Sequence, residues 1–540
     1  MLRRLRNWFA GTGAHGAGVA NAVAPAQTAQ ASEALELALA ARPEDADLNY
    51  RMGMRCLADG DAAVALDYFH VALHYAPEVF DACAGRVNAL HSLGRSDEEA
   101  DAYREFLRTN PGHPGAAYAL ARWHHARGEY EPAVALLRPL AGHAPVNMEA
   151  CNLLGLILGR ELGQFDEAER LLRRALEADP SWCVALSNLG WILMEKGDHA
   201  QGLKLVDAVL ERNPDDHETR LVLSYMNLKR GEFEAGWRDY AAREHSRYAA
   251  PGHYDFARWH GEQCDGKTLL IVGEQGFGDQ IMFASCFDDA MRRAGRCVIE
   301  CDPRLAGLFR RSFARASIRP VVHAGEHAVL PAQTEAIDLQ IPMGSLPGFF
   351  RNRWEDFPRH GGYLRADPGR IAYWRARLDA LGPGPKIGLS WRGGVAATRR
   401  HLRCIDLKEF LPMLDLPAIF VSLQYGDCAG DLSRFSQEQH VTLPHWQDAL
   451  DDYDETAALI CALDLVISVC TAVIHLAGAL GKPVWVLVPA IAEWRYLDRG
   501  ELMPWYPSAR LFRQTEPGQW KCAIEQIAEQ LPAGFPTISK

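Results

Sequence analysis

Asn49-Tyr50-Arg51-Met52-Gly53-Met54-Arg55-Cys56-Leu57-Ala58-Asp59-Gly60, followed by Ala65, Phe69, Ala72 and a closing Pro77, decides how the first half of the chain folds. Small and apolar residues recur at helical spacing on both sides of Gly60, which describes two short helices packed face to face. Gly53 lets the first helix approach the second closely. Gly60 stops the first helix at a position where positive φ is easiest for glycine. Pro77 cannot continue the second helix and fixes the turn beyond it. Working outward, the closing proline returns as Pro43, Pro77, Pro111, Pro145, Pro180 and Pro214, at intervals of 34, 34, 34, 35 and 34 residues. The helix-ending glycine returns in step as Gly60, Gly94, Gly128, Gly163, Gly197 and Gly231.

That period is the period of the tetratricopeptide repeat (TPR), a helix–turn–helix unit. The unit ending at Pro214 carries Leu186, Leu189, Gly190, Leu193, Val206 and Val209. The unit ending at Pro180 carries Phe165, Ala168, Leu172 and Ala175, with one extra residue in its first helix. The unit ending at Pro111 matches least well, with Ala100 slipped by one. A last unit, Arg220 to Tyr248, keeps Leu223, Gly231, Phe233 and Tyr240 but lacks the proline. One unit cannot bury its own apolar stripe, so about six units stack into a solenoid with a concave groove. This all-α solenoid is expected over residues 32–250. By analogy of fold, its partner is a protein or peptide segment lying in the groove. No Lys/Arg clamp for an acidic tail is evident. His70, His74, His91, His124 and His125 read as surface or core histidines rather than ligands.

Bulk properties narrow the function classes. A chain of 540 residues exceeds one core. Its formal net charge of −12 argues against nucleic acid as a partner, because such binding rests on clustered cations. The 13 cysteines show no zinc-ligand spacing and read as free thiols of a cytoplasmic protein, with no metal and no cofactor expected. No apolar run is long enough to span a bilayer. The segment 1–31 reads as a tail whose start, Met1–Phe9, is basic and amphipathic enough for weak contact with a membrane surface.

From about residue 251 the pattern changes to alternating strand and helix. Strands are expected at Lys267–Val272, Cys297–Glu300, Pro320–Val322 and Ala336–Leu339, with helices from Gln280 to Arg293 and from Pro303 to Phe313. A second set is expected at Lys386–Trp391, Ala418–Leu423, Asp464–Ser468 and Pro483–Val488, with a helix from Thr471 to Leu480. The expected layout is an N-terminal lobe over 251–365, a linker over 366–385 and a C-terminal lobe over 386–540. Two Rossmann-like lobes of this kind bind ligands at the carboxyl ends of their strands.

The motifs sit at those strand ends. Glu274-Gln275-Gly276-Phe277-Gly278-Asp279-Gln280, Ser390-Trp391-Arg392-Gly393, the step from Ser468 to Gly481 and Lys482-Pro483-Val484 together resemble the heptosyltransferase family of lipopolysaccharide biosynthesis. The similarity is nearest to bacterial proteins that carry TPR units ahead of such a module, and it covers most of residues 250–540. The resemblance implies a GT-B fold, a nucleotide-sugar donor held mainly by the C-terminal lobe, no metal, and inversion at the anomeric carbon. It also implies that Asp279 is the base. Members of the family usually carry Asp where this chain has Cys470.

Read as chemistry alone, Asp279 is a carboxylate at a glycine turn, suited to take a proton from an acceptor hydroxyl or to cap a helix. Gly276 and Gly278 allow close backbone approach, and Gln280 follows them. The spacing is not a dinucleotide fingerprint. The helix opening at Thr471-Ala472 offers free N–H groups and a dipole to a diphosphate. Ser468 and Thr471 add hydroxyls, and His475 either stabilises leaving-group charge or packs. Ser390 and Trp391 lead into the cations Arg392, Arg399, Arg400 and Arg403, which form a basic patch fit for phosphate oxygens. Trp391, Trp494 and Tyr496 either stack on a base or sugar or fill the core.

Two functions are open at this level. One is an inverting transferase that moves a sugar from a nucleotide-sugar to a protein or glycan presented by the repeats. The other is a non-catalytic repeat scaffold whose degenerate second half only binds. The first requires the Gly-Asp corner and the start of the Thr471 helix to line one crevice.

Overall fold

The computed structural model describes residues 25–246, 254–324, 327–329, 336–394 and 399–534. The amphipathic Met1–Phe9 and the Ala249–Gly252 joint lie outside the described residues. The chain divides into two compact units, the first ending at Ile192 and the second running from Leu193 to Lys540.

The first unit is a run of antiparallel helix pairs: Ala46–Ala58 with Ala62–Tyr75, Phe80–Ser92 with Ser96–Thr109, Pro114–Arg127 with Tyr130–Gly142, and Met148–Leu156 with Phe165–Ala178. The glycine after each first helix has positive φ, +89° at Gly60 and +80° at Gly128, so the expected stop signal works through backbone conformation. Phe69 shows why small residues recur. Its ring lies so close that a Cβ on Gly53 would stand 2.8 Å from Cε1, and a Cβ on Gly85 of the next pair 2.5 Å from it. One aromatic side chain therefore stitches its own pair to its neighbour. The single 35-residue interval is resolved as well. Met148–Leu156 continues into a π-helical turn, Ile157–Glu161, where Leu162 N–H bonds to the Ile157 carbonyl at 3.2 Å. A π-turn absorbs one inserted residue without changing the helix face on either side. In the unit with the slipped alanine, Ala100 and Ala102 are both buried.

The second unit begins with helical repeats, including His217–Arg230 and Phe233–Tyr240, and then forms two parallel sheets. In the first, β1 (Ala257–Arg258), β2 (Cys264–Val272), β3 (Ala294–Cys301), β4 (Ser317–Pro320) and β7 (Leu339–Pro342) are ordered β1-β7-β2-β3-β4. A small hairpin, β5 (Val322–Ala324) with β6 (His327–Val329), stands apart. In the second sheet, β8 (Lys386–Ser390), β9 (Ile419–Ser422), β10 (Leu465–Val469), β11 (Val484–Val488) and β12 (Ala509–Arg513) are ordered β12-β11-β10-β8-β9.

Several boundaries differ from expectation. The strand expected at Pro320–Val322 is β4, ending at Pro320 on a sheet edge, where a missing N–H is tolerated. The strand expected at Ala336–Leu339 starts only at Leu339, and just before it the Asp338 carboxylate accepts Thr268 N–H at 2.8 Å. The helix expected from Gln280 starts at Phe277 and is broken by a tight 3-10 turn, Ala284–Cys286, before Phe287–Arg293. Strand β12 and the helices Ala429–Gln439, Tyr453–Ala462 and Lys521–Gly534 are additions to the expected set. Leu389, Trp391, Ile467, Leu487, Phe512 and Ile527 form the core around the second sheet. The helix of the expected linker, Pro368–Asp379, is pinned to Tyr453–Ala462. Arg370 Nε and Nη2 donate to Glu455 at 2.6 and 2.8 Å, and Trp374 Nε1 adds a bond of 2.8 Å to the same carboxylate.

Candidate functional site

Strand β2 ends at Val272, and its glycine turn leads directly into Phe277–Phe283 with Gly276 as the N-cap. Asp279 is therefore the third helical residue and not the cap. Its side chain points elsewhere: Oδ1 accepts from Arg495 Nε at 2.8 Å and also from Arg495 Nη2. On the other sheet, β10 ends at Val469 and the chain turns through Cys470 into Ala472–Ala479. Thr471 caps that helix, its hydroxyl accepting Val473 N–H at 3.1 Å.

The helices that follow these two strands meet. A Cβ on Gly278 would lie 3.5 Å from Ala472 Cα and 3.5 Å from His475 Cδ2. The Gly-Asp corner and the start of the Thr471 helix thus pack directly against each other. Arg495 joins this contact, reaching Asp279 on one side and Glu493 Oε2 at 3.0 Å on the other. Burial would lower the Arg495 pKa, but the carboxylates of Asp279 and Glu493 outweigh it and hold the guanidinium above its ordinary value. Arg403 extends the array, donating from Nη1 to the Cys470 carbonyl at 3.0 Å. Arg399, Arg403, Cys470, Glu493 and Tyr496 line a common pocket beside the cap.

His475 is buried, with Nδ1 3.0 Å from Tyr506 Oη. Burial, then the charges of Arg495 and Arg403, push its pKa down to about 3. At neutral pH it is a neutral imidazole, able to share a hydrogen bond but carrying no charge. Burial likewise pushes the Cys470 thiol up to about 12, and its Sγ lies 3.6 Å from the Leu487 carbonyl. At neutral pH the thiol therefore stays protonated and carries no negative charge.

Other expected site residues are committed elsewhere. Trp391 is 2% exposed within the core of the second sheet, so the core reading holds over the stacking one. Ser390 is wholly buried, its Oγ 3.3 Å from Gln424 Oε1. Gln280 is buried and accepts Asp302 N–H at 2.8 Å, which ties the helix to the end of β3. Ser468 is buried and donates to the Val469 carbonyl at 2.8 Å. Trp494 is buried edge-on against Trp237, with centroids 5.5 Å apart. The basic patch divides. Arg392 pairs with Asp431 at 3.0 Å and shares with Arg400 a pocket on the Ala429–Gln439 side, whereas Arg399 and Arg403 line the small pocket beside Cys470 and Glu493. Arg495, Glu493 and Tyr506 escaped the sequence reading. The one available signal was their place after β11, in the same strand-end layer as the other motifs.

Family models described as tetratricopeptide repeat match residues 50–114, 118–181 and 160–224. These repeats give the N-terminal half a protein-interaction role. Over 485 residues the sequence is 31% identical to Protein FlbA of Caulobacter vibrioides, covering 80% of this chain and 80% of that protein. The chain belongs to the FlbA family. A shorter match joins this FlbA-family chain to cellulose synthase operon protein C of Pseudomonas fluorescens, 30% identical over 147 residues, covering 26% of this chain and 11% of the other. Among solved structures, MamA from Desulfovibrio magneticus RS-1 is 24% identical, covering 32% of this chain and 96% of that one, with a TM-score of 0.28. A thermophilic TPR protein of Thermus thermophilus is 21% identical, covering 36% of this chain and 98% of that one, with a TM-score of 0.27. Among the described residues, no helix is long and apolar enough to cross a membrane.

Proposed function

We propose that this FlbA-family chain is an inverting glycosyltransferase of GT-B architecture. It takes a sugar from a nucleotide-sugar and passes it to a hydroxyl of a protein or glycan brought by the repeats. The observation that carries this reading is the meeting of Gly278 with Ala472 and His475, which joins a carboxylate from one parallel sheet to a helix N-terminus from the other. The donor diphosphate lies against the N–H groups of Ala472–Ala479, with Arg403 and Arg399 beside it. Asp279 takes the acceptor proton on Oδ2, since Arg495 engages Oδ1. The acceptor oxygen forms its bond to the anomeric carbon as the bond to the diphosphate oxygen breaks, and the leaving charge falls to the helix start and the arginines. His475 contributes a neutral hydrogen bond.

A non-catalytic binding role is favoured by one feature, the inert buried Cys470 thiol at the donor end. Thermal shift with ADP-, GDP-, UDP- and dTDP-sugars separates the two readings. Stabilisation by one of them that is lost in Arg403→Ala, with turnover of the same donor, supports the transferase. Stabilisation without turnover, or no shift with any donor, sinks the transferase and favours the non-catalytic scaffold.

A further inference from the structure

We infer that Tyr240 and Arg243, which belong to the last helical repeat, are positioning residues for Asp279, so that the final repeat is a working part of the site. This rests on the transferase reading of Asp279. The glycine turn is gripped at two consecutive residues. Arg243 and Glu274 are both buried and form a two-point ion pair, Nη2 to Oε1 at 2.5 Å and Nε to Oε2 at 3.2 Å. Gly344 N–H adds a bond of 2.8 Å to Glu274 Oε1, and a Cβ on Gly344 would stand 2.6 Å from that oxygen. The carboxylate is therefore held on both oxygens, and only a glycine at 344 leaves room for it there. Gln275 comes next, with φ of +63°, a conformation that costs a non-glycine residue about 1 kcal/mol or more. Its side-chain Nε2 donates to Tyr240 Oη at 2.7 Å. Gly276 then caps the helix that carries Asp279.

Tyr240 also packs against Trp494, the neighbour of Arg495 in sequence. Its ring lies 5.9 Å from Trp494, which in turn stacks under the Arg495 guanidinium at 4.5 Å. One buried side chain thus contacts the turn before Asp279 and the segment that carries Arg495. A shift of the last repeat moves both ends of the Asp279–Arg495 pair. The bond to Gln275 holds the turn in its strained conformation, and hence the helix start from which Asp279 projects.

The test uses full-length protein. Tyr240→Phe removes one hydroxyl and keeps the ring, and Gln275→Ala removes the other end of the bond. Turnover of whichever nucleotide-sugar stabilises the wild type is measured with hydrogen exchange across residues 274–283. We expect kcat to fall about tenfold in each variant, with donor KM within twofold, because a misplaced base costs the chemical step and not binding. Exchange should quicken in that segment alone. Unchanged kcat and unchanged exchange in Tyr240→Phe overturn the inference, as does faster exchange spread over the whole unit with a lowered Tm. Should the wild type turn over no donor, the transferase reading fails by itself, and local exchange still decides whether Tyr240 holds the turn.

Discussion

Arg495 sets two of its nitrogens on Oδ1 of Asp279, and among the described residues no hydrogen bond is made to Oδ2. The side chain of Asp279 is partly exposed while that of Arg495 is more enclosed. The arginine therefore orients the carboxylate through one oxygen and leaves the second without a hydrogen bond among the described residues. Asp279→Asn keeps the shape and removes the ability to accept a proton. Turnover is expected to drop by roughly a hundredfold or more, with donor affinity within threefold by titration. Near-normal turnover in Asp279→Asn would remove Asp279 from the base role. Arg495→Lys keeps the charge but loses the two-point contact, and should lower kcat while leaving donor KM in place.

The buried imidazole of His475 makes a prediction about acid. Its pKa is near 3 in the fold, against an ordinary value near 6.5, so between those limits the unfolded chain binds the extra proton. Stability must then rise with pH across that window, be fully present above about 6.5 and be lost as pH falls toward 3. At pH 4 the penalty from this one group is on the order of 3 kcal/mol. Denaturant titrations at pH 4 to 7 should show His475→Gln with a shallower pH slope than the wild type. An identical slope would mean that His475 is charged, or more solvated than its surroundings indicate. The activity profile between pH 6 and 8 should carry no limb from this residue.

What the sequence made legible were features repeated or written locally. The 34-residue period exposed the helix pairs, Gly60 and its counterparts ended first helices with positive φ, and the one 35-residue interval surfaced as a π-turn at Ile157–Glu161. The strand-end motifs were equally local, which is why Asp279 and Thr471 could be named. The pairing of Asp279 with Arg495 spans 216 residues and leaves no periodic trace. Whether Trp391 stacks on a ligand or fills a core depends on strands β8 and β10 packing over it, and residue type alone does not distinguish the two. The four arginines looked like one patch because a short loop carries them, yet the bridge between Arg392 and Cys404 folds that loop back and sends them to two pockets.

Two glycines packed against the start of the Ala472 helix should respond oppositely to alanine. At Gly393 a Cβ would stand 2.2 Å from Thr471 Cγ2, so the cap of the Ala472 helix has to move. Gly393→Ala is expected to lose about 1–3 kcal/mol of stability together with the thermal shift given by the donor. At Gly278 the nearest atoms lie at 3.5 Å, ordinary contact, within a helix. Gly278→Ala should keep or raise stability by about 0.5 kcal/mol. Equal losses in the two variants, read from urea midpoints, would mean that the two lobes do not meet as described.

The same packing predicts what happens when the chain is cut at the apparent joint between its halves. Phe233, Trp237 and Tyr240 of the last repeat are buried, and their partners are helix and loop residues of the α/β region. Phe233 lies 4.8 Å from Phe357, Trp237 lies 6.0 Å from Trp505 and donates to the Arg351 carbonyl at 2.8 Å, and Tyr240 lies 6.4 Å from Phe283. Removing these three side chains forfeits roughly 5–9 kcal/mol of apolar burial. It also leaves the buried Glu274 without Arg243, a further cost of a few kcal/mol. The sum is comparable to the whole stability of a typical domain. A chain beginning at Pro251 is therefore expected to aggregate on expression, whereas one beginning at Asp216, the cap of His217–Arg230, should remain soluble and show a cooperative melt. Size-exclusion profiles of the two distinguish the cases, and a monomeric, cooperatively melting fragment from Pro251 would show that the last repeat is dispensable to the α/β fold.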